Sequence, residues 1–183
     1  TSADADLAVG AYSGAVTATV DNANAATLTI GTGATTLNTS GAGTLTVNGD
    51  AGGTAALTIQ GGDADTGDVT VADYESTGTL TLGNSLNAGA VAITTKGTGG
   101  RTIALGTSAN VTSRAVTATT LADGQTLTLT GDKAVTLTSA DADLAVGAYS
   151  GAVTATVDNA NAATLTIGTG ATTLNTSGAG TLT

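Results

Sequence analysis

Apolar and polar residues alternate one for one in short bursts along this chain. The clearest are Val16-Thr17-Ala18-Thr19-Val20, Thr27-Leu28-Thr29-Ile30, Thr44-Leu45-Thr46-Val47, Leu57-Thr58-Ile59, Val69-Thr70-Val71 and Thr79-Leu80-Thr81-Leu82. Val91-Ala92-Ile93, Ile103-Ala104-Leu105, Val116-Thr117-Ala118, Leu127-Thr128-Leu129 and Val135-Thr136-Leu137 continue the series. A period of two sends successive side chains to opposite faces and so predicts β-strands half-buried on one side. Thr is β-branched and suits a pleated surface, so the pattern places Thr outside and Leu, Ile or Val inside. No stretch shows helical spacing with caps, and the chain is expected to be all-β.

The spacing of these bursts carries the architecture. From Leu45 the first inward aliphatics fall at Leu57, Val69, Leu80, Val91, Ile103, Val116 and Leu127, at intervals of 12, 12, 11, 11, 12, 13 and 11 residues. Short strands at near-constant spacing, with a core of Leu, Ile, Val and Ala, predict a parallel β-solenoid (β-helix) whose coils stack about 4.8 Å apart. Two or three strands per rung would give roughly four to seven rungs per repeat unit at that spacing. The absence of Pro agrees, because Pro cannot donate to an interior ladder. A competing signal lies in Asn48-Gly49 and Asp123-Gly124, which favour tight hairpins. They leave tandem antiparallel β-sandwich domains as the alternative.

A second, longer period is superimposed on the strands. Residues 1–46 recur without a change at 138–183, so the period is 138 − 1 = 137 residues. The chain divides into one complete unit, 1–137, and the start of the next, 138–183, as in a tandem array. The expectation is that further copies lie on both sides.

Composition narrows the chemistry. The chain has no Cys and no His, which removes the usual ligands of zinc, haem and iron–sulfur sites and the common nucleophile–base pairs. It lacks Pro, Met, Trp and Phe, and its aromatics are Tyr12, Tyr74 and Tyr149. Fourteen acids against four bases give a net charge of −10, which repels nucleic-acid phosphates. With 40% apolar residues in regular alternation and 10% charged, the composition is not that of a disordered chain. No apolar run approaches the ~20 residues of a membrane span, so no membrane insertion is expected.

Candidate sites are few. Asp63, Asp65 and Asp68, followed by Asp73 and Glu75, form the densest acidic patch, and alternate Asp residues in a Gly-containing turn offer the hard oxygens that calcium prefers. Asp141 and Asp143, with their copies Asp4 and Asp6, form a second Asp-Ala-Asp pair. Neither matches the helix-loop-helix calcium loop or the GGxGxD nonapeptide, and a solvated acidic turn explains both without a metal. The acids stand in small-residue turns without an aromatic platform for a sugar, so a glycosidase is not expected. Gly31-Thr32-Gly33 and Gly97-Thr98-Gly99-Gly100 complete no phosphate-binding pattern. Asn38-Thr39-Ser40 and Asn110-Val111-Thr112 are formal N-glycosylation sequons. Thr-X-Thr pairs such as Thr17/Thr19, Thr79/Thr81 and Thr136/Thr138 could line an ice-binding face, but their irregular spacing in sequence does not promise one continuous array.

Phrases such as Gly78-Thr79-Leu80-Thr81-Leu82 and Gln125-Thr126-Leu127-Thr128-Leu129-Thr130, with the Thr/Gly/Ala/Asp usage and lack of Cys, resemble the giant β-strand-repeat cell-surface proteins of bacteria. That group includes surface-layer proteins, large adhesins and extracellular filament proteins. The resemblance implies a secreted chain that builds surface coats, stalks or filaments, often with bound calcium; catalysis is not expected, since the repeat unit carries no non-repetitive insertion to house it. An open ladder edge templates pairing with another chain, so head-to-tail or lateral self-association is expected, with an adhesin stalk or an ice-binding module as alternatives.

Overall fold

The computed structural model describes residues 4–49, 53–61 and 67–183. Among them there is no helix, and seventeen strands follow one another. The first nine are β1 (Leu7–Ala8), β2 (Val16–Asp21), β3 (Ala26–Thr29), β4 (Thr35–Ser40), β5 (Leu45–Asn48), β6 (Leu57–Gly61), β7 (Val69–Tyr74), β8 (Thr79–Leu82) and β9 (Ala90–Gly97). The rest are β10 (Arg101–Ala104), β11 (Ser113–Leu121), β12 (Thr126–Thr130), β13 (Val135–Ser139), β14 (Asp143–Ala145), β15 (Val153–Asp158), β16 (Leu165–Thr166) and β17 (Thr172–Ser177).

The odd strands form a nine-stranded sheet in chain order and the even strands an eight-stranded one, with parallel pairing throughout. The chain therefore passes from one sheet to the other at every turn. Two strands complete a rung, and about eight rungs stack into a parallel β-solenoid. Leu45, Leu57, Val69, Leu80, Val91, Ile103, Val116 and Leu127 are all buried. They make two facing ladders, because consecutive members lie on opposite sheets. The inward side chains of both sheets merge in one apolar cluster running the length of the stack. Each buried Leu, Ile or Val there contributes roughly 1.5–3 kcal/mol of transfer free energy.

The hairpin cues act differently from their usual role. Asp123-Gly124 forms the tight turn between β11 and β12, with Gly124 at φ +68° and the Gln125 amide bonded to the Ala122 carbonyl at 3.1 Å. It folds the chain across to the opposite sheet instead of back onto its own strand. Beyond Asn48, the Gly49 amide bonds to the Ala72 carbonyl and prolongs the parallel ladder. The antiparallel alternative is thereby overturned.

Successive rungs are not equal in length. The step from Leu127 to its partner Leu144 takes 17 residues, and that from Ile103 to Leu129 takes 26. Turns absorb most of the difference, and β9 meets β7 and β11 with a register shift late in each pairing, between Val71 and Tyr74 and between Thr117 and Thr120. Where turns stack closely, side chains are excluded: a Cβ on Gly33 would lie 1.8 Å from the Gly14 carbonyl oxygen, and on Gly170 1.9 Å from that of Gly151.

The core also departs from a purely aliphatic composition. Tyr74 and Tyr149 are fully buried, with their hydroxyls donating to the carbonyls of Gly78 at 2.9 Å and Lys133 at 2.5 Å. Thr35, Thr39 and Thr95 point inward and bond the carbonyls of Gly33, Gln60 and Thr117, which satisfies their hydroxyls.

Candidate functional site

The acidic candidates separate into two groups. Asp63 and Asp65 lie outside the described residues, so the proposed calcium turn is represented by Asp68 alone. Asp68 precedes β7, and its Oδ1 accepts the Ala90 amide of the next rung at 2.7 Å. Asp141 Oδ1 accepts the amides of Ala160 and Asn161, both at 2.7 Å, and Asp143 Oδ1 accepts that of Thr164 at 2.7 Å. In the first copy Asp4 and Asp6 hold the amides of Asn24 and Thr27 in the same way. These carboxylates cap amides of the following rung where the ladder does not supply a carbonyl. Among the described residues no three acidic, His or Cys groups converge as a metal site would require.

The outward Thr residues are brought together more closely than their sequence spacing suggests. In the eight-stranded sheet Thr17, Thr36, Thr58 and Thr81 are register partners on four consecutive strands. In the nine-stranded sheet Thr94, Thr117, Thr138 and Thr156 do the same. All eight are exposed or half-exposed, in columns with a rung step of about 4.8 Å. The irregular spacing along the chain arises because consecutive pairs lie on opposite faces and rung lengths vary. Asn38 extends this surface, accepting a bond from Gln60 Nε2 at 2.7 Å on the next rung. Asn110, the other sequon, is exposed in the turn before β11.

Two buried cations were not legible as such in the sequence. Arg101 is 3% exposed and donates to the carbonyls of Tyr74 (3.2 Å), Gly99 (2.6 Å), Gly100 (3.1 Å) and Lys96. Arg114 is 5% exposed and donates to the carbonyls of Leu105 (3.2 Å), Ser108 (2.6 Å) and Val111 (3.3 Å). Each buried guanidinium gathers several backbone carbonyls, from strand ends (Tyr74 and Lys96) and from the segments between strands. Burial lowers both pKa values, opposed by Glu75 and Tyr74 for Arg101 and by Tyr149 and Asp132 for Arg114. Above Arg101, Lys96 Nζ and Glu75 Oε1 pair at 3.2 Å on the surface. A residue type normally read as exterior gave no signal of this role.

The chemistry these groups perform is therefore backbone satisfaction: carboxylates take amides, and guanidinium and phenol groups take carbonyls. No family model, curated protein or solved structure matches the chain.

Proposed function

We propose that this chain is a structural repeat segment of a secreted bacterial cell-surface protein, forming part of a stiff fibre, filament or surface array. The observation that carries this reading is the position of the unit boundary. Residues 137 and 138 lie inside β13, and the ladder runs unbroken from β11 through β13 to β15 and β17. Consecutive units thus share a strand and a core, without a linker at which the rod could flex. Tension along such a rod is borne by parallel backbone ladders over a continuous apolar interior. A segment of this kind serves equally as the passive stalk of an adhesin, whose binding part would be elsewhere.

Electron microscopy of the purified chain with calcium and then with a chelator tests the proposal. Filaments or ordered sheets with a ~4.8 Å axial repeat are expected. Their loss on chelation would add a calcium role for the turn containing Asp63, Asp65 and Asp68, and dispersed particles in both conditions would overturn the assembly. The aligned Thr columns favour a second reading, an ice-binding face, which requires thermal hysteresis of the chain in solution; its absence removes that reading.

A further inference from the structure

Identical sequence sits on opposite sheets in the two copies. The strand Val16-Thr17-Ala18-Thr19-Val20-Asp21 is β2, in the eight-stranded sheet, and its copy Val153–Asp158 is β15, in the nine-stranded sheet. Likewise β4 (Thr35–Ser40) belongs to one sheet and its copy β17 (Thr172–Ser177) to the other. The cause is arithmetic: β2 recurs as β15, thirteen strands later, and an odd number of strands at two per rung ends half a rung out of phase.

Local structure is reproduced while the side changes. Asp6 Oδ1 holds the Thr27 amide at 2.8 Å, and Asp143 Oδ1 holds that of Thr164 at 2.7 Å. Asn22 Nδ2 reaches the Asn24 carbonyl at 2.7 Å, and Asn159 Nδ2 that of Asn161 at 2.8 Å. The Gly43 amide bonds the Asn22 carbonyl at 2.8 Å, and Gly180 that of Asn159 at 2.9 Å. The φ angle at Gly41 and at Gly178 is +95° in both copies. One turn-and-strand geometry is therefore accepted on either edge of the coil.

We infer that the 137-residue unit is a half-turn module, so that a run of units has two-fold screw symmetry and shows each outward patch alternately on its two flanks. Six and a half rungs advance the axis by about 31 Å, and the same flank repeats every two units, about 62 Å. The patch of Thr17, Thr19, Thr36 and Asn38 on one face returns as Thr154, Thr156, Thr173 and Asn175 on the other. A partner that binds this patch is met from both sides, which makes the rod a bridging element between two neighbours and excludes a repeat-encoded face confined to one side. This goes beyond the assembly proposed above and holds for the single chain whether or not filaments form.

The chain has no native Cys, so paired labels are placed cleanly. Thr136 and Thr154 are outward register partners in the nine-stranded sheet. If the copy of Thr17 instead lay on the same sheet as Thr17, its column neighbour would be Thr130, reached through Thr81 and Ala104. Pyrene-maleimide is attached to the double variants Thr136→Cys/Thr154→Cys and Thr130→Cys/Thr154→Cys, each diluted with unlabelled chain and checked by circular dichroism for retained β-structure. Excimer fluorescence is expected from the first pair and monomer fluorescence from the second. Excimer from the second pair, or from neither, overturns the inference.

Discussion

At the scale of single residues, the fold is legible in side chains whose environment contradicts their type. Tyr149 stands in the core against Gly131, and burial, reinforced by Asp132 and opposed by Arg114, pushes its phenol up to about 12 from 10.0. Tyr74 is shifted in the same direction, again chiefly by burial. A folded-state pKa above the unfolded value means that the fold favours the neutral phenol. The contribution is complete below pH 10 and is lost as pH rises from 10 towards 12. Absorbance titration of the Tyr12→Phe variant checks this: no phenolate signal is expected around pH 10, and its appearance should accompany loss of β-structure. A phenol ionising at pH 10 with the ladders intact would contradict the burial assigned here.

Single strands show how much the sequence disclosed and where it fell silent. The Thr/aliphatic alternation disclosed β2, β3 and β5 to β13, because all but β10 have at least two aliphatic or Ala positions facing in, and β10 has Ile103 with Leu105 just beyond its end. It did not disclose β4, whose inward positions are Thr35, Leu37 and Thr39, one aliphatic between two hydroxyls. Those Thr residues are tolerated because carbonyls accept their protons: Gly33, two residues earlier, takes that of Thr35, and Gln60 on the next rung takes that of Thr39. The 11-to-13-residue interval gave the strand step but not the number of strands per rung, because both sheets carry the same code. Arg101 and Arg114 were illegible for a similar reason: the carbonyls that receive them lie up to 27 residues away along the chain. The acidic pairs were seen as clusters, but their work as amide caps depends on the rung that follows.

Across the whole molecule, position in the stack decides what a residue is worth. Leu37, between two neighbouring strands, is fully buried, whereas its copy Leu174 on the last strand of the nine-stranded sheet is 42% exposed. Sequence around the two is identical, so the comparison isolates stacking. Leu37→Ala is expected to cost about 2–5 kcal/mol through lost burial and the cavity left behind. Leu174→Ala is expected to cost less than about 1 kcal/mol, since much of that side chain already meets water. Urea titrations followed by circular dichroism should show a lowered midpoint for the first variant and a nearly unchanged one for the second; equal shifts would mean that stacking is not what holds Leu37.

The strand shared by consecutive units also bears on inheritance. Because the boundary falls within β13 and residues 138–183 repeat 1–46 without a change, gain or loss of a whole 137-residue unit would leave the pairing of β11, β13, β15 and β17 intact. Length can then drift in steps of about 31 Å without a misfolded intermediate generation. Each step also rotates everything beyond it by half a turn. In a chain carrying several such units, the parity of their number would decide which way anything beyond them faces: a change of two units would preserve that bearing and a change of one would reverse it.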